Sequence, residues 1–355
     1  MEAKTKMLAK QLENNMVQCI ACNRRCKITE GNAGYCGVRV NDGGRLRLSV
    51  YGKACAVWAD PIEKKPLFHF LPGTRSFSIG TFGCNFACEF CQNWDISQAP
   101  HEARVKDPKG WRMYFQTLID RCKDLPPEEM VESAVQTGCK SISFTYNEPT
   151  IFSEYAIDTM ELGKKKGLKG VYVTNGYETK ECWDALKGYI HAVNIDLKAY
   201  NQKFYTELCK VPNFEHVKES IEYAKKLGIW VEVTTLLIPN WNDDEKELKE
   251  EAEYLAGVDP EMPWHVTAFH PDYKMLSEKP TPPESLIKAR EIGKAAGLKH
   301  VYCGNLPFTY AGYETTFCPK CGKEVIKRVG FSIAEINIDK GKCRFCKQAI
   351  KGVWD

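Results

Sequence analysis

No stretch of this chain is apolar for long enough to span a membrane. The opening text, MEAKTKMLAKQLENN, is polar and lacks the apolar segment of a secretory signal. Charge of one sign is also scarce. A net +3 over 355 residues is too little to argue for nucleic acid as a partner. No Gly-x-Gly-x-x-Gly follows the first strand-like run, which argues against a dinucleotide-binding fold. What remains is ordinary globular composition, 43% hydrophobic and 27% charged, enough for one large domain plus small modules.

Cysteine is what the chain has in excess. Seventeen cysteines without a secretory signal point to metal binding and reduced thiols, and so to a reducing cytoplasm. Three of them, Cys84, Cys88 and Cys91, stand at C-x3-C-x2-C in the stretch Gly83–Trp94. They follow the apolar run Phe77–Phe82, read here as a strand, so they lie on the loop leaving it. Three thiolates on one loop can hold three irons of a four-iron cluster and leave the fourth open to a substrate. A zinc knuckle is the alternative, but zinc sites usually pair two C-x2-C units, and no partner pair lies nearby in the chain.

Residues 70–310 repeat a strand–helix pattern. Strands are predicted at Phe77–Phe82, Ser141–Tyr146, Gly170–Thr174, Ala192–Leu197, Trp230–Ile238 and His265–Phe269. Between them, Pro127–Thr137, Phe152–Lys166, Lys180–Lys187, Glu215–Leu227 and Asp244–Ala256 carry apolar residues at helical spacing. A last helix, Pro283–Ala296, leads to a short apolar run, His300–Cys303. Such alternation predicts an α/β fold with a parallel sheet, a partial (β/α)6 barrel of TIM type. The 97–125 connection, with its aromatic and basic stretch KGWRMYFQTLIDRCK, reads either as a lid or docking surface or as a packed helical excursion.

Parallel barrels gather their chemistry at the C-terminal ends of the strands. Here those ends are the cysteines, then Asn147-Glu148, Asn175, Asp196 with Lys198, Asn240–Asp243, and His270. Any one alone reads as a helix cap; six in register do not. Glu148 can accept from an ammonium group, Lys198 and His270 can meet a carboxylate, and Asn175 and Asp196 can bond hydroxyls. An amino acid carrying a ribose would use them all.

These residues resemble the radical S-adenosylmethionine (SAM) superfamily, whose signature C-x3-C-x-aromatic-C is matched by Cys84, Cys88, Phe90 and Cys91. The likeness is to the AmmeMemoRadiSam radical enzymes, which are similar to pyruvate formate-lyase activating enzyme. It runs through DPIEKKPLFHFLPG (60–73), FTYNEPTIF (144–152), VTNGY (173–177), NIDLKAY (194–200) and FHPDYKM (269–275). The resemblance implies a [4Fe–4S] cluster on Cys84, Cys88 and Cys91. It implies Phe90 beside adenine, Asn147 and Glu148 at the SAM amine, Asn175 and Asp196 on the ribose side, and Lys198 and His270 at the carboxylate. Relatives carry Gly-Gly before the glutamate; this chain has Tyr146-Asn147.

Two flanking cysteine sets complete the reading. Cys318, Cys321, Cys343 and Cys346 form two C-x2-C pairs, a zinc-ribbon pattern, with a rubredoxin-like iron as the alternative. Cys19, Cys22, Cys26 and Cys36 have a spacing that leaves zinc and an auxiliary iron–sulfur cluster equally open. The expected division is an N-terminal cysteine module over 1–60, a barrel over 61–310 and a C-terminal module over 311–355. The expected function is reductive SAM cleavage and hydrogen abstraction, served by a reductant such as ferredoxin or flavodoxin. The substrate is either a glycine of a partner enzyme or another molecule. A non-catalytic metal-binding or electron-transfer protein is the rival.

Overall fold

The computed structural model describes residues 2–310 and 312–355; Met1 and Ala311, the first residues of the two expected flanking modules, lie outside the described residues. One eight-stranded sheet organises the chain. Its strands are β1 (Ala56–Pro61), β2 (Arg75–Gly80), β3 (Ser141–Phe144), β4 (Lys169–Thr174), β5 (Ile190–Asp196), β6 (Trp230–Leu237), β7 (Trp264–Ala268) and β8 (Val301–Gly304). They lie side by side in chain order. β1 runs antiparallel to β2, and β2 through β8 are all parallel. An order with no reversal is that of a barrel wall and not of a doubly wound sheet. The edges, β1 and β8, do not pair, so the barrel stays open.

Six strand–helix units therefore stand as expected, and the run at His300–Cys303 adds a seventh parallel strand. The helices are α1 (Ala99–Lys106), α2 (Trp111–Asp120), α3 (Pro127–Gln136), α4 (Ser153–Gly163), α5 (Lys180–Leu186), α6 (Glu215–Lys226), α7 (Glu245–Val258) and α8 (Pro283–Ala295). Their starts follow local chemistry. Asp244 caps α7 by accepting from the amides of Lys246 and Glu247, at 3.0 and 3.2 Å. Pro127 stands in the first turn of α3, with Glu128 and Glu129 beside it. The 97–125 connection is the helical excursion α1–α2, and it packs Ala103, Phe115 and Ile119 inward.

β3 is buried along its whole length, as a strand covered on both faces must be. The N-terminal segment shares this core. Val17, Ile28, Val38 and Leu48 pack in the same apolar cluster as Ile79, Phe144 and Val233. A buried ion pair ties it down. Arg39 donates to both carboxylate oxygens of Glu154 on α4 and, at 2.9 Å, to the carbonyl of Ile151. The C-terminal segment instead has its own small core of Cys318, Val325, Ile326, Ile338, Cys343 and Ile350. Among the described residues no helix is long and apolar enough to cross a membrane.

Candidate active site

The cysteine loop leaves β2 through Gly83, whose φ is +93°. The amide of Gly83 donates to Ile96, 3.0 Å. Further along, the amides of Ala87 and Glu89 donate to the carbonyls of Cys209 and Leu208, at 3.1 and 3.0 Å. Those carbonyls belong to the π-helical turn Tyr205–Cys209. Arg24 reaches across from the N-terminal segment to the carbonyl of Asn85. The loop is thus held to three separate parts of the chain, two by main-chain bonds and the third by the Arg24 side chain.

Cys84 and Cys88 are buried and Cys91 half-buried, and all three face one cavity of about 540 Å³. Two donors already approach the sulfurs: the amide of Phe86 lies 3.3 Å from Cys84 Sγ, and the Ser97 hydroxyl 3.5 Å from Cys91 Sγ. Among the described residues, no three of their sulfurs and neighbouring carboxylates come within 4.8 Å of one another, which is wider than a single tetrahedral ion accepts.

Phe90, Asn147, Glu148, Asn175, Asp196 and Lys198 line the same cavity. Glu148 is buried at its floor. Its Oε1 accepts from the Thr150 amide (2.9 Å) and the Thr174 hydroxyl (2.8 Å), and its Oε2 from the Asn175 amide (2.8 Å). Lys198 Nζ lies 2.7 Å from Asp196 Oδ2 and 5.7 Å from the centre of the Phe90 ring. Burial works against its charge, but the Asp196 carboxylate, together with the Cys88 and Cys209 sulfurs, raises the Lys198 pKa well above the ordinary value. Asn175 gives its amide to Asn85 Oδ1 at 2.7 Å, and Asn147 gives its own to Gly83 O at 2.8 Å and Thr81 Oγ1 at 3.1 Å. Both asparagines brace the cysteine loop.

Tyr146, at a position where the family resemblance implies glycine, sits in the left-handed region at φ +71°. Its hydroxyl donates to Asp60 at 2.8 Å, and its carbonyl accepts from Asn93 at 2.8 Å. Those two bonds hold a conformation that glycine reaches without strain.

His270 departs from the expectation. It is exposed, outside the cavity lining, with Nε2 3.0 Å from the Gln92 amide nitrogen. Phe269 takes the buried position at that strand end, so the next side chain turns to solvent. The histidine that does line the cavity is His265, one of the inward side chains of β7, bonded to Glu232 at 2.7 Å. Thr234, Thr267 and Leu236 also face inward. Two-residue alternation along β6 and β7 was the signal that would have found them; attention to strand ends alone passes over them.

Glu178 was missed for another reason: it lies beyond a strand end, at the start of a helix. Its Oε1 lies 2.8 and 2.7 Å from the hydroxyls of Thr150 and Thr174, which also face Glu148. Each hydroxyl has one proton and cannot donate to both carboxylates, so the pair is satisfied when it holds a proton of its own. Burial, then the Glu148 charge, pushes Glu178 up from 4.5 to about 8. The folded state therefore holds this proton more tightly than the unfolded chain. That stabilisation is complete below 4.5 and is lost as pH rises through about 8. Thermal melts of Glu178→Gln are expected to match the wild type below about 4.5 and to lack its decline between there and about 8. An unchanged slope would show that Glu178 is not the group titrating.

Two polar atoms of the cavity lining, Glu63 Oε2 and Thr234 Oγ1, are buried without a hydrogen bond. Such orphans fit a polar ligand. The C-terminal segment contributes Glu314 and Phe331 to the wall.

Fold and site together define an open α/β barrel with a cysteine-lined central cavity. The family model described as the radical SAM superfamily matches residues 78–252. An uncharacterized protein of Methanocaldococcus jannaschii is 42% identical over 347 residues, spanning 97% of this chain and 98% of its own. A protein of the same organism, named as a glycyl-radical enzyme activating enzyme, is 26% identical over 60% of this chain and 74% of its own. The GTP 3′,8-cyclase of Haemophilus influenzae is 24% identical over 68% of this chain and 71% of its own. The chain belongs to the radical SAM superfamily, whose chemistry uses SAM and a [4Fe–4S] cluster.

Proposed function

We propose that this chain reductively cleaves SAM at a [4Fe–4S] cluster and takes hydrogen from a substrate at the cavity mouth. The observation that carries the reading is the convergence of three sulfurs of one loop with Glu148, Asp196 and Lys198 on one cavity. Cys84, Cys88 and Cys91 would hold the cluster, since their spread suits separate irons better than one ion. Bound together, cluster and SAM supply a 5′-deoxyadenosyl radical. Glu148 keeps lone-pair capacity for the SAM ammonium, and Lys198, kept charged by Asp196, would meet the carboxylate. Phe90 offers a flat apolar face for adenine, Asp196 an acceptor for a ribose hydroxyl. Asn147 and Asn175 hold the loop in place, and His270 can reach a ligand only from the rim.

Anaerobically reconstituted protein, reduced and given SAM, is expected to release 5′-deoxyadenosine. Iron binding without cleavage under a strong reductant would overturn the reading and favour the carrier rival. A ferredoxin or flavodoxin in a reducing cytoplasm would be the natural donor. Likeness to an activating enzyme supports a glycine of a partner enzyme as the substrate. A glycyl-radical signal on a co-purified partner tests that choice.

The division at 1–60, 61–310 and 311–355 belongs to the same proposal, with β1 lying across the first boundary. In the last segment the sulfurs of Cys318 and Cys346 lie 3.5 Å apart, those of Cys321 and Cys343 3.8 Å apart, and all four fall within 4.8 Å. Tetrahedral Zn–S bonds of about 2.3 Å place sulfurs about 3.8 Å apart, so zinc fits. Cys321→Ser is expected to remove about one zinc per chain and loosen this segment; proteolysis and metal analysis check it. Iron in place of zinc would point to the rubredoxin-like alternative.

A further inference from the structure

The N-terminal cysteines stand apart from both sets already described. Cys19 ends the strand Val17–Cys19, Cys26 precedes the strand Lys27–Ile28, and the Cys19 amide donates to the Cys26 carbonyl at 2.9 Å. Cys22 lies on the loop between them, and Cys36 follows the next turn. All four line one pocket, closed by Arg24, Tyr35, Arg39, Asn85 and Ile151. Cys19, Cys22 and Cys36 are buried, and Cys26 half-buried.

Geometry separates this set from the C-terminal one. Among the described residues, Cys318, Cys321, Cys343 and Cys346 are the one group whose ligand atoms all lie within 4.8 Å of one another. No three of the N-terminal sulfurs meet that spacing. A single zinc ion would require about 3.8 Å between sulfurs, from Zn–S bonds of about 2.3 Å. Four thiolates spread around a common pocket instead suit a cluster in which each binds a different metal atom.

The pocket also offers hydrogen-bond donors to a sulfur-rich occupant. Arg24 and Arg39 line it, the Arg39 charge already paired with Glu154, and the Tyr35 amide lies 3.5 Å from Cys26 Sγ. Asn85 is 1% exposed, lines the pocket, and leaves its Nδ2 without a partner. Such an amide can donate to a sulfide.

We propose that Cys19, Cys22, Cys26 and Cys36 bind a second, cuboidal iron–sulfur cluster. Its wall toward the first cysteine loop is one residue thick. Asn85 follows Cys84 directly, and a Cβ at Gly83 would lie 2.5 Å from the Cys36 carbonyl. The inference about metal type does not depend on SAM chemistry at the central loop.

The test uses the full chain with Cys84, Cys88 and Cys91 all changed to alanine, reconstituted anaerobically with iron and sulfide. This variant leaves the N-terminal segment untouched. It is expected to keep about four irons and four sulfides per chain and, once reduced, to give the resonance of a [4Fe–4S]+ cluster. Adding Cys22→Ser and Cys26→Ser is expected to remove that iron. In the reduced wild type, magnetic coupling between two neighbouring clusters is expected to broaden the spectrum, and each variant to lose the broadening. Zinc, or no metal beyond the C-terminal site, in the first variant would overturn the proposal. Iron that survives the added serine changes would overturn it as well. SAM cleavage by the wild type reports separately on the central site.

Discussion

Replacing Cys88 with alanine is expected to lower the iron content by about four atoms per chain and bring 5′-deoxyadenosine release to background. The loop cannot compensate, because its neighbouring amides are already pinned to Cys209 and Leu208. A nearby thiol makes the test sharper. Cys209 is fully buried and faces Cys88, although 1-D spacing gave no reason to join them. Cys209→Ala is expected to keep iron and SAM cleavage and to cost about 1 kcal/mol of stability, in line with an ordinary core change. Iron quantification on the two variants decides between them. If Cys209→Ala loses the cluster and Cys88→Ala keeps it, the ligand assignment is wrong.

The second large effect is expected at Gly83. Its φ of +93° is open to glycine and strained for other residues. An added Cβ would also stand 2.5 Å from the Cys36 carbonyl and 3.1 Å from Val38 Cγ1. Main chain cannot swing aside as a side chain can. Gly83→Ala is therefore expected to lose about 1–3 kcal/mol to backbone strain alone, with the overlap adding to it. Iron uptake should fall with stability, because the loop that carries Cys84 must shift. Gly43→Ala is the control. Gly43 has φ +56° but nothing within 4 Å of its would-be Cβ, so it reports the conformational cost without the crowding. Denaturant midpoints compare the two. Equal losses would mean that the N-terminal segment does not press on the cysteine loop as described.

Tyr146 shows the same principle handled differently. Left-handed backbone at a tyrosine is held by Asp60 and Asn93, both distant in sequence. Nothing in the string Thr145-Tyr146-Asn147 announces those partners. What the string does carry is the strand before it and the glutamate after it, and both fell where periodicity placed them. The same holds along the barrel. Six strands and their helices were legible because burial on both faces imposes long apolar runs, and crossover helices impose a 3.6-residue rhythm. Strand β8 and the antiparallel β1 were less so. β8 is a four-residue edge strand, and β1, also at an edge, is mostly part-exposed, so burial imposes no long apolar run on it.

The sequence by itself determined the alternation that makes a parallel barrel, the loop on which Cys84, Cys88 and Cys91 sit, and the register of polar residues at the strand ends. Each of these is local: a spacing or a period read within a few residues. Tertiary structure alone decided the rest. It turned His270 outward and His265 inward, set Glu178 beside Glu148, brought Cys209 to Cys88, and laid Cys36 against Gly83. It also spread one set of four sulfurs and drew the other together. The physical reason is common to all of them. Distances between side chains far apart in the chain depend on how helices and strands pack, and close packing admits one arrangement that no local pattern encodes.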